Sequence, residues 1–389
     1  MMRLAPKQFD SVRAVVEALE PSYPVYCLRP HVLQAMAKRF LGLFPGEVLY
    51  AIKCNPHPMV LASLYQAGIR SFDTASLPEI AQVAETYPDA QTYFMHPVKG
   101  RAVINTAYQV YGVRHFVVDH EQELDKVLEE TGGREVVAIV RITTPPSPGT
   151  LYHLSAKFGA AAEEAVGLLR RAAGEGLKVG VAFHVGSQCL RPDAYGTAIA
   201  LVGEILKEAE VELTCIDVGG GFPARYEDTK APPLEDYFDA IRNALKATRV
   251  KPSVDILCEP GRALVAAGCS LLVQVQLRKG DQLYINDGIY GSLSELVTAK
   301  IRLPARLVPR KVRGEAEMQE FLLNGPTCDS VDVLPYRFRL PGNVEEGDWI
   351  EIDQVGAYSN ALATQFNGFY PETFVAVADT PPIAAKVAA

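Results

Sequence analysis

The sequence predicts an α/β protein built from a (β/α)8 barrel of the TIM type and a C-terminal, mostly β domain. Eight short runs rich in β-branched residues alternate with helical patterns between residues 23 and 263, and eight successive βα units are typical of such a barrel. After Leu264 the strand patterns continue without long helices between them. With 389 residues and 48% hydrophobic content, the chain is long enough to bury a core in each unit.

The barrel prediction depends on strands and helices that follow one another in a regular order. Apolar, β-branched runs predict eight strands at residues 48–52, 71–73, 92–95, 115–118, 136–141, 179–184, 215–218 and 253–258. Apolar residues at helical spacing between them predict helices at residues 77–86, 121–130, 161–175, 195–209 and 234–247.

The second domain is predicted from strands separated by Pro and Gly turns. These strands are expected at residues 271–278, 282–286, 305–309, 349–354 and 373–377. We assign residues 23–263 to the barrel, and residues 264–379 together with 1–22 to the β-rich domain. Residues 380–389 are rich in Pro and Ala and are expected to form a mobile tail.

Composition argues against several classes of protein. A net charge of -8 with mixed signs provides no basic stripe for nucleic acid. No apolar run reaches the ~18 residues needed to cross a bilayer, and the first residues lack the apolar core of a signal peptide, so we expect no membrane association and a cytoplasmic location. Seven scattered cysteines without Cys-x-x-Cys spacing argue against a disulfide framework and against a zinc or other metal site.

Five polar residues each follow an apolar run of the predicted barrel: Lys53, Asp73, Arg141, His184 and Glu259. Functional groups of a TIM barrel collect at the C-terminal ends of its strands. We therefore expect these side chains to meet at the barrel mouth.

Lys53 lies in the segment Tyr-Ala-Ile-Lys-Cys-Asn, which ends an apolar strand, and it has no charged neighbour in sequence. Burial in such a setting lowers a lysine pKa and leaves free amine to attack an aldehyde. A lysine that reaches from a strand end into water is the commoner outcome for one isolated segment.

Two glycine-containing segments suit an anion. Gly219-Gly220-Gly221 follows a strand, where small residues let backbone N–H groups surround a phosphate, although a plain tight turn also explains it. Glu259-Pro-Gly-Arg offers an N–H group and a cation to a phosphate, and a carboxylate to a protonated ring nitrogen, unless it forms only a structural ion pair.

Seven motifs occur in the order found in one enzyme family. They are Tyr-Ala-Ile-Lys-Cys-Asn, His-Val-Gly-Ser, Gly-Gly-Gly-Phe-Pro, Glu-Pro-Gly-Arg, Asn-Asp-Gly-Ile-Tyr-Gly-Ser, Gly-Pro-Thr-Cys-Asp-Ser and Gly-Ala-Tyr, and the match spans residues 50 to 369. The chain thus resembles the fold type III pyridoxal phosphate-dependent decarboxylases, which are related to alanine racemase and include ornithine and lysine decarboxylases.

The resemblance implies pyridoxal 5'-phosphate as the cofactor and assigns residues to it. Lys53 would hold the cofactor aldehyde, His184 would stack on the pyridine ring and Glu259 would pair with the ring N–H. The residues that would bind the phosphate are Ser187, Gly221, Gly261, Arg262 and Tyr358. Four further residues would support Lys53 or belong to the surrounding charge network, namely Asp73, Glu79, Arg141 and Lys157, and two of them, Asp73 and Arg141, would also contact the cofactor.

The same resemblance implies a homodimer whose active sites are shared across the interface. Cys328 and Asp329 would enter the partner's site, where Cys328 protonates Cα and Asp329 accepts the distal ammonium of the substrate. Tyr290 and Phe366 would form an apolar wall beside the departing carboxylate. Considered without the motif, Cys328 also fits an inert core residue.

The chain departs from the family after Tyr-Gly-Ser. Ornithine decarboxylases carry a second acid there that helps to bind the distal amine, whereas this chain has Thr298 and Ala299. Glu295 could compensate from one turn earlier. Alternatively, Lys300 could meet a carboxylate on an N-acylated ornithine such as the siderophore precursor citryl-ornithine, or could simply point into water.

We therefore expect a carboxy-lyase that decarboxylates a basic L-amino acid, with ornithine to putrescine first, lysine second and an N-substituted ornithine as the alternative. The expected pathway is polyamine biosynthesis. An amino-acid racemase is a rival, but alanine racemases use a tyrosine of the partner as second base, and the Cys-Asp loop matches decarboxylases. An inactive regulatory homologue is the other rival, and the presence of Lys53, Glu259 and Cys328 argues against it.

Overall fold

The computed structural model describes residues 7–146, 150–151, 157–248 and 250–381, and it confirms the predicted fold class. A closed barrel of parallel strands is followed by a separate, mostly β unit. The strands are β1 (Gln8–Phe9), β2 (Val25–Leu28), β3 (Glu47–Ala51), β4 (Ser71–Thr74), β5 (Gln91–Phe94), β6 (His115–Val118), β7 (Val137–Arg141), β8 (Lys178–Ala182), β9 (Leu213–Asp217), β10 (Asp255–Cys258), β11 (Cys269–Lys279), β12 (Gln282–Ile285), β13 (Ala305–Val308), β14 (Met318–Asn324), β15 (Val333–Pro341), β16 (Trp349–Ile352) and β17 (Thr373–Val377). The helices are α1 (Val12–Leu19), α2 (Pro30–Leu43), α3 (Pro58–Gln66), α4 (Leu77–Thr86), α5 (Arg101–Gln109), α6 (Glu121–Thr131), α7 (Ala162–Gly174), α8 (Asp193–Ala209), α9 (Leu234–Ala247), α10 (Arg262–Val265) and α11 (Ser294–Thr298).

Strands β3 to β10 form the barrel, which closes where β10 pairs with β3. Side chains alternate between its two faces, as a strand period of two requires. Leu49 packs in the barrel interior, whereas its neighbours Val48 and Tyr50 join the layer of helices outside. The eight predicted barrel strands and the five predicted helices are present with ends that agree to within two residues.

The second unit is a nine-stranded sheet in the order β1-β17-β2-β11-β12-β14-β15, with β16 joined to β11 and β13. The five strands predicted here are present. Four others were missed, namely β1, β2, β14 and β15. β15 contains Pro335 and Pro341, which argue against a strand when only the sequence is considered.

Strand β2 does not belong to the barrel, although the predicted barrel segment 23–263 includes it. It pairs antiparallel with β11 and parallel with β17 in the open sheet. Arg29, directly after β2, is fully buried and donates to Glu351 of β16 at 2.9 Å and to Ser270 of β11 at 2.9 Å. This buried polar network ties β2 to the second unit.

Both ends of the chain extend beyond the described residues. Residues 382–389 of the predicted mobile tail and residues 1–6 lie outside them. Within the described ranges, no helix combines the length and the apolar character needed to span a membrane.

Candidate active site

A cavity of about 300 Å³ opens at the C-terminal end of the barrel strands. Nine of the ten residues predicted to contact the cofactor line it, and the tenth, Asp73, contacts one of the nine. The nine are Lys53, Arg141, His184, Ser187, Gly221, Glu259, Gly261, Arg262 and Tyr358. The same cavity is lined by Met95, His96, Lys157 and Phe158, of which sequence reasoning named only Lys157.

Lys53 lies in a single 3-10 turn that follows β3, and its ammonium pairs with the carboxylate of Asp73. Burial lowers the pKa of Lys53, but the nearby carboxylates of Asp73 and Glu259 outweigh burial, so the pKa is raised above its ordinary value. The sequence-based expectation of a lowered pKa is therefore wrong. The expectation was based on the apolar residues next to Lys53 in sequence, whereas the fold brings two carboxylates from distant segments close to its ammonium.

A group of buried carboxylates lies near Lys53. Burial raises the pKa of Glu259 well above its usual range, and Asp73 and Asp217 raise it further. Burial likewise raises the pKa of Asp217 to about 7, although a hydrogen bond of 2.7 Å from the Gly219 N–H opposes this shift. Sequence reasoning did not select Asp217. Its signal was an acidic residue at the end of an apolar strand, two residues before the first glycine of the Gly219-Gly220-Gly221 run.

His184 is held as a neutral imidazole. Its Nδ1 accepts a hydrogen bond of 3.0 Å from the Gly186 N–H, and desolvation together with Arg141 and Lys53 lowers its pKa well below the usual range. A neutral ring that accepts at Nδ1 carries its proton on Nε2. A Cβ at Gly220 would lie 3.0 Å from that Nε2 and 2.6 Å from the Glu259 carbonyl oxygen, so this position requires glycine.

At another part of the cavity, the positively charged Arg262 provides hydrogen-bond donors that suit an anion. Its Nη1 donates to the Tyr226 hydroxyl at 2.7 Å and to Glu295 at 2.8 Å, and its Nη2 also pairs with Glu295. Its Nε is buried and has no hydrogen-bond partner in the described part of the chain. The Tyr358 ring lies 5.0 Å from the guanidinium.

Two glycines complete this anion-binding surface. Gly221 has φ +102°, and a Cβ there would lie 2.5 Å from the Gly186 carbonyl oxygen. A Cβ at Gly261 would lie 2.9 Å from the Cys54 Cβ. Because one buried N–H donor lacks a partner and both glycines leave the backbone open, the residues present fit a phosphate group.

Glu295 does not lie where the distal amine of a substrate was expected. It is buried in α11, and both of its carboxylate oxygens are committed to Arg262. This geometry contradicts the expectation that Glu295 binds substrate. Lys300 is exposed with φ +53° and does not line the cavity.

The remaining predicted substrate residues form a second group on the surface of the chain. The Tyr290 hydroxyl donates to Asp329 at 2.5 Å, and the Tyr290 and Phe366 rings lie 4.7 Å apart. The Cys328 N–H donates to Asn367 at 3.1 Å. Cys328 is exposed, whereas the other six cysteines are buried. None of these residues lines the cavity of its own chain.

Two acidic residues that sequence reasoning missed hold the loops of this surface group. Asp332 accepts from the Ile289 N–H at 3.0 Å and from the Thr327 hydroxyl at 2.7 Å, so it joins the loop of Tyr290 to the loop of Cys328. Asp287 accepts from the Gly288 N–H at 2.8 Å. The signal for Asp287 was its place in the Asn-Asp-Gly-Ile-Tyr-Gly-Ser motif, and Asp332 lies two residues after the Gly-Pro-Thr-Cys-Asp-Ser motif.

Comparison with known proteins identifies the family. A family model described as pyridoxal-dependent decarboxylase, pyridoxal binding domain, matches residues 8–266. The lysine/ornithine decarboxylase of Selenomonas ruminantium is 33% identical over 350 residues, which cover 87% of this chain and 86% of that protein.

Solved structures show the same relationship. The arginine decarboxylase of Paramecium bursaria Chlorella virus superposes with a TM-score of 0.84 at 30% identity, covering 94% of this chain and 99% of that chain. The lysine/ornithine decarboxylase of Vibrio vulnificus, complexed with putrescine, superposes with a TM-score of 0.82 at 31% identity, covering 95% and 99%. This protein therefore belongs to the fold type III pyridoxal phosphate-dependent decarboxylases of basic amino acids, with pyridoxal phosphate as its cofactor.

Proposed function

We propose that this enzyme decarboxylates L-ornithine to putrescine, with L-lysine as the second substrate. The observation that carries the proposal is the barrel-mouth cavity, which brings together Lys53, His184, Glu259 and the anion-binding surface around Arg262. A diamine product would connect the enzyme to polyamine biosynthesis.

Within this proposal each end of the cavity binds one part of the cofactor. Lys53 would hold the aldehyde carbon, the neutral His184 ring would cover one face of the pyridine ring, and Glu259 would pair with the ring nitrogen. When bound, pyridoxal phosphate supplies an electron sink for the electron pair that carbon dioxide leaves behind. A proton on the ring nitrogen strengthens that sink, and a buried carboxylate partner favours it.

At the phosphate end, Arg262 Nε and the backbone at Gly221 and Gly261 would be the donors, with Ser187 and Tyr358 beside them. Asp73 would hold the Lys53 nitrogen in place through their ion pair. Glu79, whose Oε2 accepts from the Ala75 N–H at 2.6 Å, would fix the loop that follows β4.

The active site would be completed by a second copy of the chain. Cys328 and Asp329 lie outside the cavity of their own chain, next to Tyr290 and Phe366. Apolar side chains are exposed in the same part of the sequence, as expected of a surface that another chain covers. They are Val331, Leu362, Phe366, Phe369 and Tyr370, each 38% to 59% exposed.

In such a homodimer, each loop would contribute to the partner's site. The Cys328 thiol would donate a proton to Cα of the substrate after carbon dioxide leaves, because carbon protonation needs a nearby acid. Asp329 would accept the distal ammonium through charge-assisted hydrogen bonds. Tyr290 and Phe366 would exclude water beside the departing carboxylate.

An N-substituted ornithine is the second candidate substrate, and one observation favours it. Glu295 is committed to Arg262, and Ala299 is buried and apolar, so this segment offers no free acid for a bare ammonium. Lys300, directly after Ala299, is a cation that could meet a distal carboxylate. Amine release from free and N-acylated ornithine, lysine and arginine, assayed side by side, ranks these candidates.

Borohydride trapping tests the cofactor assignment. Reduction of the reconstituted enzyme should fix the cofactor to the peptide that contains Lys53, and Lys53→Ala should give no adduct. A reduced adduct on another lysine would refute the assignment. In a separate product assay, an amino acid of inverted configuration in place of an amine would identify a racemase. Wild-type protein that takes up no cofactor would favour a regulatory homologue.

Mixed dimers test the shared site. Lys53→Ala and Cys328→Ala chains should each have little activity alone. Their mixture should regain activity, up to about a quarter of the wild-type value, because one of the two sites in each heterodimer receives both intact residues. No recovery, in a mixture shown by differential tagging to contain heterodimers, would contradict the shared site.

A further inference from the structure

Arg262 already has a carboxylate partner inside the protein. Its two Nη atoms face the two carboxylate oxygens of Glu295, and the side chains are only 3% and 8% exposed. The remaining hydrogen-bond partner, the Tyr226 hydroxyl, is neutral and buried. The positive charge of this arginine is therefore matched before any cofactor enters.

This pairing follows from the energetics of buried charge. A buried guanidinium without a counter-ion is strongly destabilising, so Arg262 needs a partner whenever the phosphate is absent. Once a phosphate dianion binds, the same carboxylate remains close to it and repels it. Glu295 thus stabilises the cofactor-free protein and opposes part of the attraction between Arg262 and phosphate.

We infer that Glu295 is the resident counter-ion of Arg262, a positioning residue that fixes both Nη atoms, leaves Nε to the cofactor phosphate and limits how tightly that phosphate binds. This inference rests on the proposed placement of the phosphate at Arg262. It gives Glu295 a role at the cofactor in place of the role at the substrate that its sequence position suggested.

The same contact connects two parts of the molecule. Glu295 lies in α11, which belongs to the segment that follows the Tyr-Gly-Ser motif, and Arg262 begins α10 at the barrel mouth. The ion pair therefore anchors α11 to the phosphate end of the cavity. In this chain the acid of α11 serves the cofactor, and none of its oxygens is left for a substrate ammonium.

The test measures binding of pyridoxal phosphate and of pyridoxal, which lacks the phosphate, to cofactor-free protein. The variants are Glu295→Gln, Arg262→Gln and the double variant, with Tyr226→Phe as the matched control. Tyr226→Phe removes a neutral hydrogen bond from the same Nη1 without changing charge. The ratio of the two affinities isolates the phosphate contribution.

Removing one buried charge should change the phosphate contribution by roughly tenfold or more. Glu295→Gln should bind pyridoxal phosphate more tightly than wild type, and Arg262→Gln more weakly. The double variant should bind more tightly than Arg262→Gln, because it restores a neutral pair. Pyridoxal affinity should change little in each variant, and Tyr226→Phe should stay within a few-fold of wild type.

Different results would contradict the placement of the phosphate and the counter-ion role of Glu295. If Arg262→Gln leaves the preference for pyridoxal phosphate over pyridoxal unchanged, the proposed placement of the phosphate is wrong. If Arg262→Gln weakens binding but the double variant does not recover it, the placement stands and the counter-ion role is refuted. Weaker binding in Glu295→Gln, matched by Tyr226→Phe, would also refute it in favour of simple support. Should Glu295→Gln not fold without cofactor, the comparison of Arg262→Gln with the double variant decides.

Discussion

Arg29, directly after β2, and Arg262, shortly after β10, are both buried arginines paired with carboxylates, yet their hydrogen bonds are completed to different degrees. Arg29 donates from Nε to Asp379, from Nη1 to Ser270 and from Nη2 to Glu351, each at 2.9 Å. Arg262 uses both Nη atoms in the same way but leaves Nε without a partner among the described residues.

This difference distinguishes a structural charge from one that is available to a ligand. A buried donor without a partner is costly, and native proteins keep few of them. The hydrogen bonds of Arg29 are all made within the protein, and they have a structural role because they join strands of the second unit. A further group bound at the Nε of Arg262 would satisfy this donor, and Arg262 lines the cavity that also holds Lys53 and Glu259.

The largest expected effect concerns Arg29, the arginine with a structural role, and it is an effect on stability. Arg29→Leu should lower the free energy of unfolding by about 3–5 kcal/mol, because Glu351 and Asp379 lose a buried partner. Chemical denaturation followed by circular dichroism measures this loss. Cofactor affinity of the folded fraction should remain near that of wild type.

A matched double variant sharpens the result. Arg29→Leu with Glu351→Leu removes both buried charges and should recover much of the lost stability, since an apolar pair often replaces a buried ion pair without loss. A loss below about 1 kcal/mol in Arg29→Leu alone would show that the network is not the structural element described here.

Lys53 and Lys99 provide a second comparison, because their pKa values are shifted in opposite directions. The carboxylates of Asp73 and Glu259 outweigh burial at Lys53 and raise its pKa. At Lys99 burial dominates and lowers the pKa to about 8, although Glu123 lies 2.9 Å away. The Nζ of Lys99 also donates to the Val117 carbonyl oxygen at 2.6 Å, so its environment is filled by the protein itself.

The raised pKa of Lys53 predicts slow cofactor loading at low pH. Only the free amine attacks an aldehyde, and below the pKa its fraction rises about tenfold for each pH unit. The initial rate of reconstitution with pyridoxal phosphate should therefore increase with pH between about 6.5 and 8.5. A rate that does not depend on pH would contradict the raised pKa.

The pKa of Lys99 is shifted in the opposite direction, and this shift predicts a pH dependence of stability. Its folded pKa of about 8 lies below the value of about 10.4 for an unfolded lysine, so the unfolded chain binds more protons between these values. The contribution of Lys99 to the free energy of unfolding should therefore rise as the pH increases from about 8 to 9.5. Denaturation of wild type and Lys99→Met across this range should show a rise that is smaller in the variant.

The local sequence was sufficient to predict a site residue where the order of the strands alone determines its position. His184 and Glu259 each follow a recognisable parallel strand, and such strands end at one mouth of the barrel. It was insufficient where partners come from elsewhere in the chain. Asp73 lies 20 residues from Lys53, and Glu295 lies 33 residues from Arg262, so neither pairing follows from a local pattern.

The residues of β2 were placed in the barrel segment, and β2 itself was missed as a strand, for the same reason. Its four buried residues look like any core strand, and its partners β11 and β17 lie far along the sequence. Asp217 was missed because burial and neighbouring carboxylates, which raise its pKa, are properties of the folded barrel. The sequence thus predicts which elements and motifs are present, whereas charge pairing depends on contacts between distant segments.

The smallest expected effect concerns the surface group, where the hydrogen-bonded side chains are half-buried. The Tyr290 hydroxyl donates to Asp329 at 2.5 Å and lowers the pKa of that carboxyl. Tyr290→Phe removes this hydrogen bond but keeps the ring that packs against Phe366. Because a single partly buried hydrogen bond contributes little, KM for the amino acid should rise only about two- to threefold, with kcat nearly unchanged. Steady-state kinetics of Tyr290→Phe beside Tyr290→Ala provide the check. Tyr290→Ala also loses the apolar wall and should lower kcat, and equal effects of the two variants on kcat would remove the ring from the proposed site.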